Sequence, residues 1–191
     1  MVKLSVNRFL HISFSLVFAF TVSTSAMEEN HSISKAYFAG GCFWGMEYFF
    51  EKETGVIEVI SGYMGGKKEY PTYREVNYRH SNYVQLVEVR YDASKVDYET
   101  LARLFFEIHD PSQTGGQGPD IGDQYSSVIF YGNDAEKETA EKLIQLLQAR
   151  GLEIATQLKA VMPFWRAEDR HQDYYSNNGG TPYCHGYVKR F

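Results

Sequence analysis

Cysteine is nearly absent from this chain, which holds two in 191 residues, Cys42 and Cys184. They are far apart and form no C-x-x-C pair, which argues against a thioredoxin-like disulfide oxidoreductase. Inert buried thiols and one structural staple are possible readings, but a mobile second thiol that reaches Cys42 during turnover fits the Gly- and Pro-containing tail around Cys184 better. Positive charge is also scarce, with 19 Lys and Arg against 24 Asp and Glu. Nonspecific nucleic-acid binding relies on neutralising phosphates, so no nucleic-acid partner is expected. The six histidines show no paired ligand spacing. No metal or cofactor is therefore expected, and His109 and His171, each close to acidic residues, read as structural or hydrogen-bonding groups. The apolar run from Phe9 to Phe20 is interrupted by His11 and is too short to span a bilayer.

That run has a different look in context. Lys3 and Arg8 precede it, and Ser23-Thr24-Ser25-Ala26 follows, the basic, apolar and small-residue order of a secretory signal. Residues 1–26 are expected to be a signal peptide and 27–191 a single domain, exported to a periplasm or secreted. An uncleaved membrane anchor is the competing reading. Without Lys3 and Arg8 the remainder has 17 basic against 24 acidic residues, a formal charge of −7, and keeps all fifteen tyrosines. Its length is enough for one domain with a real core.

The densest chemistry lies in Gly40-Gly41-Cys42-Phe43-Trp44-Gly45. Ile33 to Ala39 alternates like a strand, and Phe43, Met46, Phe49 and Phe50 then recur at helical spacing. Two glycines let the chain turn sharply between them and leave the thiol uncrowded. A cysteine at a helix N-terminus meets the positive dipole end and unpaired N–H groups, which favour the nucleophilic thiolate. Further strands are expected at Val56 to Met64, Val84 to Tyr91, Tyr125 to Tyr131 and Glu153 to Val161. Helices are expected from Asp97, carrying Leu101, Leu104, Phe105 and Ile108, from Asp134 to Arg150 with Gly151 as its stop, and from Ala167 to Ser176. The irregular alternation predicts a compact α+β fold, a two-layer sandwich of a mixed sheet with packed helices. Long loops at 67–82 and 111–125, with the Gly- and Pro-containing tail, are the candidates to converge on a site.

Several motifs occur in order: Gly41-Cys42-Phe43-Trp44-Gly45, Pro71-Thr72-Tyr73-Arg74-Glu75-Val76, Ile108-His109-Asp110-Pro111 and the run from Gln117 to Tyr125. Ala167-Glu168-Asp169, His171-Gln172-Asp173-Tyr174-Tyr175 and Pro182-Tyr183-Cys184-His185 follow. From about Lys35 to Tyr187 the chain resembles the peptide methionine sulfoxide reductases of the A type. The resemblance implies a ferredoxin-like core and thiol-dependent reduction of methionine S-sulfoxide, protein-bound or free. It implies that Cys42 attacks the sulfoxide sulfur and becomes a sulfenic acid, and that Cys184 condenses with it to a disulfide reduced by a thioredoxin-like donor. Phe43 and Trp44 would hold the S-methyl group, Tyr73 and Tyr125 would hydrogen-bond the sulfoxide oxygen, and Asp120 would orient the site. A monomer is expected. Another thiol enzyme, such as a peroxidase, would share the sulfenic acid but would not require the aromatic methyl pocket.

One position departs from the family. An ungapped alignment from Pro71 to Asp92 puts Gln85 where the family usually has the glutamate thought to protonate the sulfoxide oxygen. An amide donates a hydrogen bond but delivers no proton. Gln85 shares a strand face with Val87, Val89 and Tyr91, while Val84 and Leu86 point the other way, so it is expected to be buried, with the tyrosines of the site as partners. The phenols could supply the proton, or another acid such as Asp120; Glu88 points to the wrong face. The alternative is a low-activity or non-catalytic sulfoxide-binding homologue. Retention of both thiols favours an active reductase.

Overall fold

The computed structural model describes residues 1, 33–78 and 81–191. The proposed signal peptide and cleavage site lie outside the described residues. The described residues from Ile33 onward fall in one compact unit.

The chain runs β1 (Ile33–Gly40), α1 (Phe43–Phe50), β2 (Val56–Met64), α2 (Tyr73–Tyr78), β3 (Val84–Asp92) and α3 (Tyr98–Ile108). Then come a small hairpin, β4 (Gly116–Gln117) and β5 (Asp120–Ile121), β6 (Ser127–Tyr131), α4 (Asp134–Ala149), β7 (Gln157–Ala160), β8 (Trp165–Arg166) and α5 (Tyr174–Asn178). The main sheet has the order β7-β6-β1-β3-β2-β8 and is antiparallel except for β6 beside β7. Its inner four strands with α1 and α3 form a β-α-β-β-α-β unit, the ferredoxin-like arrangement. The α+β expectation is met.

Strand periodicity decides which residues face the helices. Ala36, Phe38, Val87 and Val89 join Phe43, Met46, Phe50, Phe105, Leu143 and Leu147 in the larger core cluster. Phe38 stacks between Phe50 and Phe105, with ring centroids at 5.1 and 5.3 Å. The opposite sheet face holds Ala39, Met64, Leu86, Val128 and Phe130 in a second cluster, against which Tyr37 and Phe164 pack. Glu88 also lies on that face, bonded to the Tyr37 hydroxyl at 2.7 Å, and so faces away from Cys42. Burying both faces places Gln85, at 0% exposure, inside the helix-facing core.

Element ends follow local chemistry. Asp97 caps α3 by accepting the Thr100 N–H at 2.8 Å. The cap of α4 is Asn133 rather than Asp134, accepting the Glu136 N–H at 3.0 Å, and Gly151, at φ 88°, follows the helix end. The strand expected over 153–161 pairs only from Gln157, because the Ala155 N–H is taken by the Pro111 carbonyl at 2.8 Å. Tyr125 ends a 3-10 turn, so β6 starts at Ser127. The helix expected over 167–176 is a 3-10 turn at Asp169–His171 and the short α5, separated by Asp173 in left-handed backbone at φ 51°. The loop at 67–82 contains α2.

Candidate active site

Gly41 takes φ 109°, and a Cβ there would lie 2.7 Å from the Gln117 side chain, so glycine is required where β1 turns into α1. The turn makes Cys42 the N-cap of α1, its carbonyl accepting N–H groups of Gly45 at 3.1 Å and Met46 at 3.4 Å. The thiol is buried in the larger core cluster beside Cys184. Neither cysteine is in a disulfide. A hydrogen bond with Cys42, then burial, pushes the Cys184 thiol far above its usual range, although His185 draws it down.

The tail is docked beside this turn. His185 bonds the Gly40 carbonyl at 2.7 Å, the Gly186 N–H bonds the Ile108 carbonyl at 3.2 Å, and the Val188 N–H bonds the Glu107 carbonyl at 2.7 Å. The Arg190 side chain adds a bond to the Phe106 carbonyl at 2.8 Å. These contacts hold the tail in place with Cys184 beside Cys42. Tyr183, one residue earlier, donates its hydroxyl to both carboxylate oxygens of Asp120 at 3.1 Å. Asp120 thereby ties the hairpin loop to the tail.

The aromatic wall has more members than Phe43 and Trp44. Trp44 stacks on Tyr174 with centroids 3.7 Å apart, and its indole N–H donates to His171 Nδ1 at 3.2 Å. Burial holds His171 below its usual pKa, so it stays a neutral acceptor. Its ring also stacks on Tyr73 at 4.4 Å and lies 5.3 Å from Phe43. Glu168 accepts the Tyr73 backbone N–H at 3.0 Å and the Tyr63 hydroxyl at 2.9 Å, fixing the start of α2 against the sheet. His171, Tyr174 and Glu168 lay inside quoted motifs, but nothing in their spacing showed that they frame the aromatic wall.

Tyr73 and Tyr125 come together from different loops. Burial raises both phenols above the usual range; Cys42 raises each further, and Tyr73 and Asp120 add to the rise at Tyr125. Both are therefore protonated donors at neutral pH. Gln85 is buried as expected, but its partners are not the phenols. Its Oε1 accepts the Phe43 N–H at 3.2 Å and its Nε2 donates to Asn77 Oδ1 at 3.0 Å. The reason is geometric: the start of α1 lies over β3 and supplies a free first-turn N–H. Asn77, one turn after Tyr73 in α2, hydrogen-bonds the Tyr73 phenol and partly offsets its raised pKa. Asn77 is the residue sequence reasoning missed, since its neighbourhood carried no signal beyond the i, i+4 spacing. His109, read as structural, is fully buried with Nδ1 2.6 Å from the Phe105 carbonyl and Nε2 2.8 Å from Ser127 Oγ. Among the described residues no group of three or more His, Cys, Asp or Glu could hold a metal ion.

Comparison with known proteins gives this geometry its context. The family described as Peptide methionine sulfoxide reductase matches residues 34–191. The MsrA protein of Nautilia profundicola is 42% identical over 150 residues, covering 78% of this chain and 87% of the relative. That of Geobacter sulfurreducens is 42% identical over 157 residues, covering 81% and 97%. Among solved structures, reduced Mxr1 of Saccharomyces cerevisiae superposes with a TM-score of 0.74 at 30% identity, covering 80% of this chain and 89% of that one. Methionine sulfoxide reductase A of Corynebacterium diphtheriae gives 0.70 at 34% identity, covering 79% and 78%. With a matching family over most of its length, the same fold and two adjacent thiols beneath an aromatic wall, the chain belongs to the peptide methionine sulfoxide reductases and is an oxidoreductase of that family.

Proposed function

We propose that the protein reduces the S epimer of methionine sulfoxide, in proteins or free, through Cys42 and Cys184. The observation that carries this reading is that Cys42, at the N-terminus of α1, and Cys184 lie in one buried cluster, close enough for Cys42 to shift the Cys184 thiol. The Cys42 sulfur attacks the sulfoxide sulfur while a phenol donates to the oxygen. Oxygen passes to Cys42 as the substrate sulfur gains two electrons, so thiol and sulfoxide become sulfenic acid and thioether. Cys184 then attacks the sulfenic acid, forming a disulfide and releasing water.

Trp44 and Phe43 supply the apolar wall for the S-methyl group, and Asp120 positions Tyr183 and the tail. Gln85 acts through its bonds to Phe43 and Asn77, and it delivers no proton. Tyr73, which receives a hydrogen bond from Asn77, takes over as proton donor with Tyr125 beside it. A thioredoxin-like dithiol returns the disulfide to thiols. Mxr1 of yeast has also been crystallised in complex with Trx2, which supports a donor of that class. The basic, apolar and small-residue order of residues 1–26 supports export, and we infer that 27–191 acts as one domain and as a monomer.

The test is single-turnover methionine release from the reduced protein with each epimer of a blocked methionine sulfoxide. Release from the S epimer alone, lost in Cys42→Ser and kept for one turnover in Cys184→Ser, is expected. Release that survives Cys42→Ser would overturn the assignment, and its absence from the parent would leave a sulfoxide-binding homologue.

A further inference from the structure

Attack on a sulfenic acid requires the thiolate of Cys184. In the reduced protein a hydrogen bond with Cys42 and then burial raise that thiol, and the burial persists once Cys42 is a sulfenic acid. A proton acceptor within reach of its sulfur is therefore needed. His185 Nδ1 lies 3.0 Å from Cys184 Sγ, and His185 Nε2 lies 2.7 Å from the Gly40 carbonyl oxygen. A carbonyl oxygen only accepts, so Nε2 carries the ring proton. The neutral imidazole then presents the Nδ1 lone pair to the Cys184 S–H. Nucleophile, base and an orienting third group stand in the relation that activates a nucleophile in covalent catalysis.

The surroundings preserve that geometry. His185 is buried at 9% exposure. A Cβ on Gly45 would fall 2.1 Å from His185 Nδ1, so the bare backbone of α1 makes room for the ring. The titratable groups facing it are Cys42 on α1, Cys184 beside it, and His109 at the end of α3, with Tyr175 and Tyr183 close to both sulfurs. Burial pushes His109 down to about 3. It pushes Tyr175 up to about 12 and Tyr183 higher still. Neither this histidine nor these phenols change charge between about pH 5 and 8. Cys42 is a sulfenic acid at this stage and no longer titrates as a thiol.

We propose that His185 is the general base of the second half-reaction, a role that rests on Cys184 resolving the Cys42 sulfenic acid. His185 Nδ1 takes the Cys184 proton, the Cys184 sulfur pair forms the S–S bond, and the Cys42 S–O bond breaks. The departing hydroxide takes the proton back from Nδ1 and leaves as water, so the step needs no outside reactant. Oxygen transfer to Cys42 does not use His185.

The test follows methionine release and free-thiol loss separately after mixing the reduced protein with one equivalent of a blocked methionine S-sulfoxide. In the parent, two thiols disappear and the rate of their loss rises with pH. In His185→Gln, disulfide formation is expected to slow by about 10²-fold, the low end of general base catalysis, with a dimedone-reactive sulfenic acid accumulating. Methionine release should fall far less, and the pH profile of disulfide formation should differ from the parent's. In His185→Ala, added imidazole should restore disulfide formation. Disulfide formation in His185→Gln at the parental rate and pH profile would overturn the assignment. So would an equal slowing of both steps without rescue in His185→Ala, which marks a packing role. A parent that loses no second thiol would instead overturn the resolving role of Cys184.

Discussion

Replacing Gln85 with the acid usual in the family probes the departure at its source. The side chain has 0% exposure, accepts the Phe43 N–H through Oε1 and donates to Asn77 Oδ1 through Nε2. An unionised carboxyl in Gln85→Glu reproduces both bonds, its C=O accepting from Phe43 and its O–H donating to Asn77. The ionised form would set a carboxylate oxygen against the Asn77 carbonyl oxygen in a buried site. Burial and that contact both favour the neutral acid, so its pKa rises, and each unit corresponds to about 1.4 kcal/mol. The folded pKa then lies above the unfolded value of about 4.3. The variant should match parental stability below that value and lose stability as pH rises toward the folded pKa. A positioned acid contributes about 10²–10⁴-fold, so a gain of about 10² in single-turnover methionine release corresponds to about 2.7 kcal/mol off the barrier. The gain should be largest at pH 5 to 6 and fade as the carboxyl ionises. Rapid-quench release across pH 5 to 8, beside chemical denaturation over the same range, reads both signatures. If stability shows the buried carboxyl while release matches the parent at every pH, this position delivers no proton and the reasoning fails.

Two more outcomes follow from close contacts. Gly45→Ala puts a methyl group 2.1 Å from where His185 Nδ1 sits, so the ring must leave the Gly40 carbonyl and Cys184. Disulfide formation should slow by at least about tenfold relative to methionine release, and denaturation should show a loss of about 1–3 kcal/mol from overpacking. Glu47 is buried at 1% exposure, with Ser61 Oγ at 3.1 Å and the Tyr174 N–H at 3.2 Å. Burial raises its pKa to about 7. Its contribution to stability is therefore full below the unfolded pKa and is lost as pH rises through about 7. Between pH 5 and 8 the parent should lose up to about 3 kcal/mol that Glu47→Gln does not, measured as the difference between their denaturation profiles. Equal profiles would refute it.

Much of the fold was legible because its signals are local. Alternation in β1 and β3, helical spacing after Cys42, and Gly41 between them are properties of a few adjacent residues, and strand periodicity was enough to bury Gln85 and turn Glu88 away. The ordered motifs also marked Cys42, Tyr73, Asp120, Tyr125 and Cys184, which the fold brings to one place. Partner choice was not legible. Gln85 was expected to reach the phenols and instead bonds Phe43 and Asn77, because the crossing of β3 with α1 and α2 sets the free N–H of a helix start and the Asn77 amide beside it. The tail read as mobile from its glycines, but its docking depends on backbone carbonyls at the ends of β1 and α3, groups every sequence has and no sequence displays. The same contacts turn His185 from the last letter of a motif into a ring aimed at Cys184. Composition and periodicity thus determined which residues are buried and where the chain turns, since those depend on hydrophobicity and local backbone freedom. Only the tertiary structure decided which buried polar groups meet, because that depends on where distant elements cross.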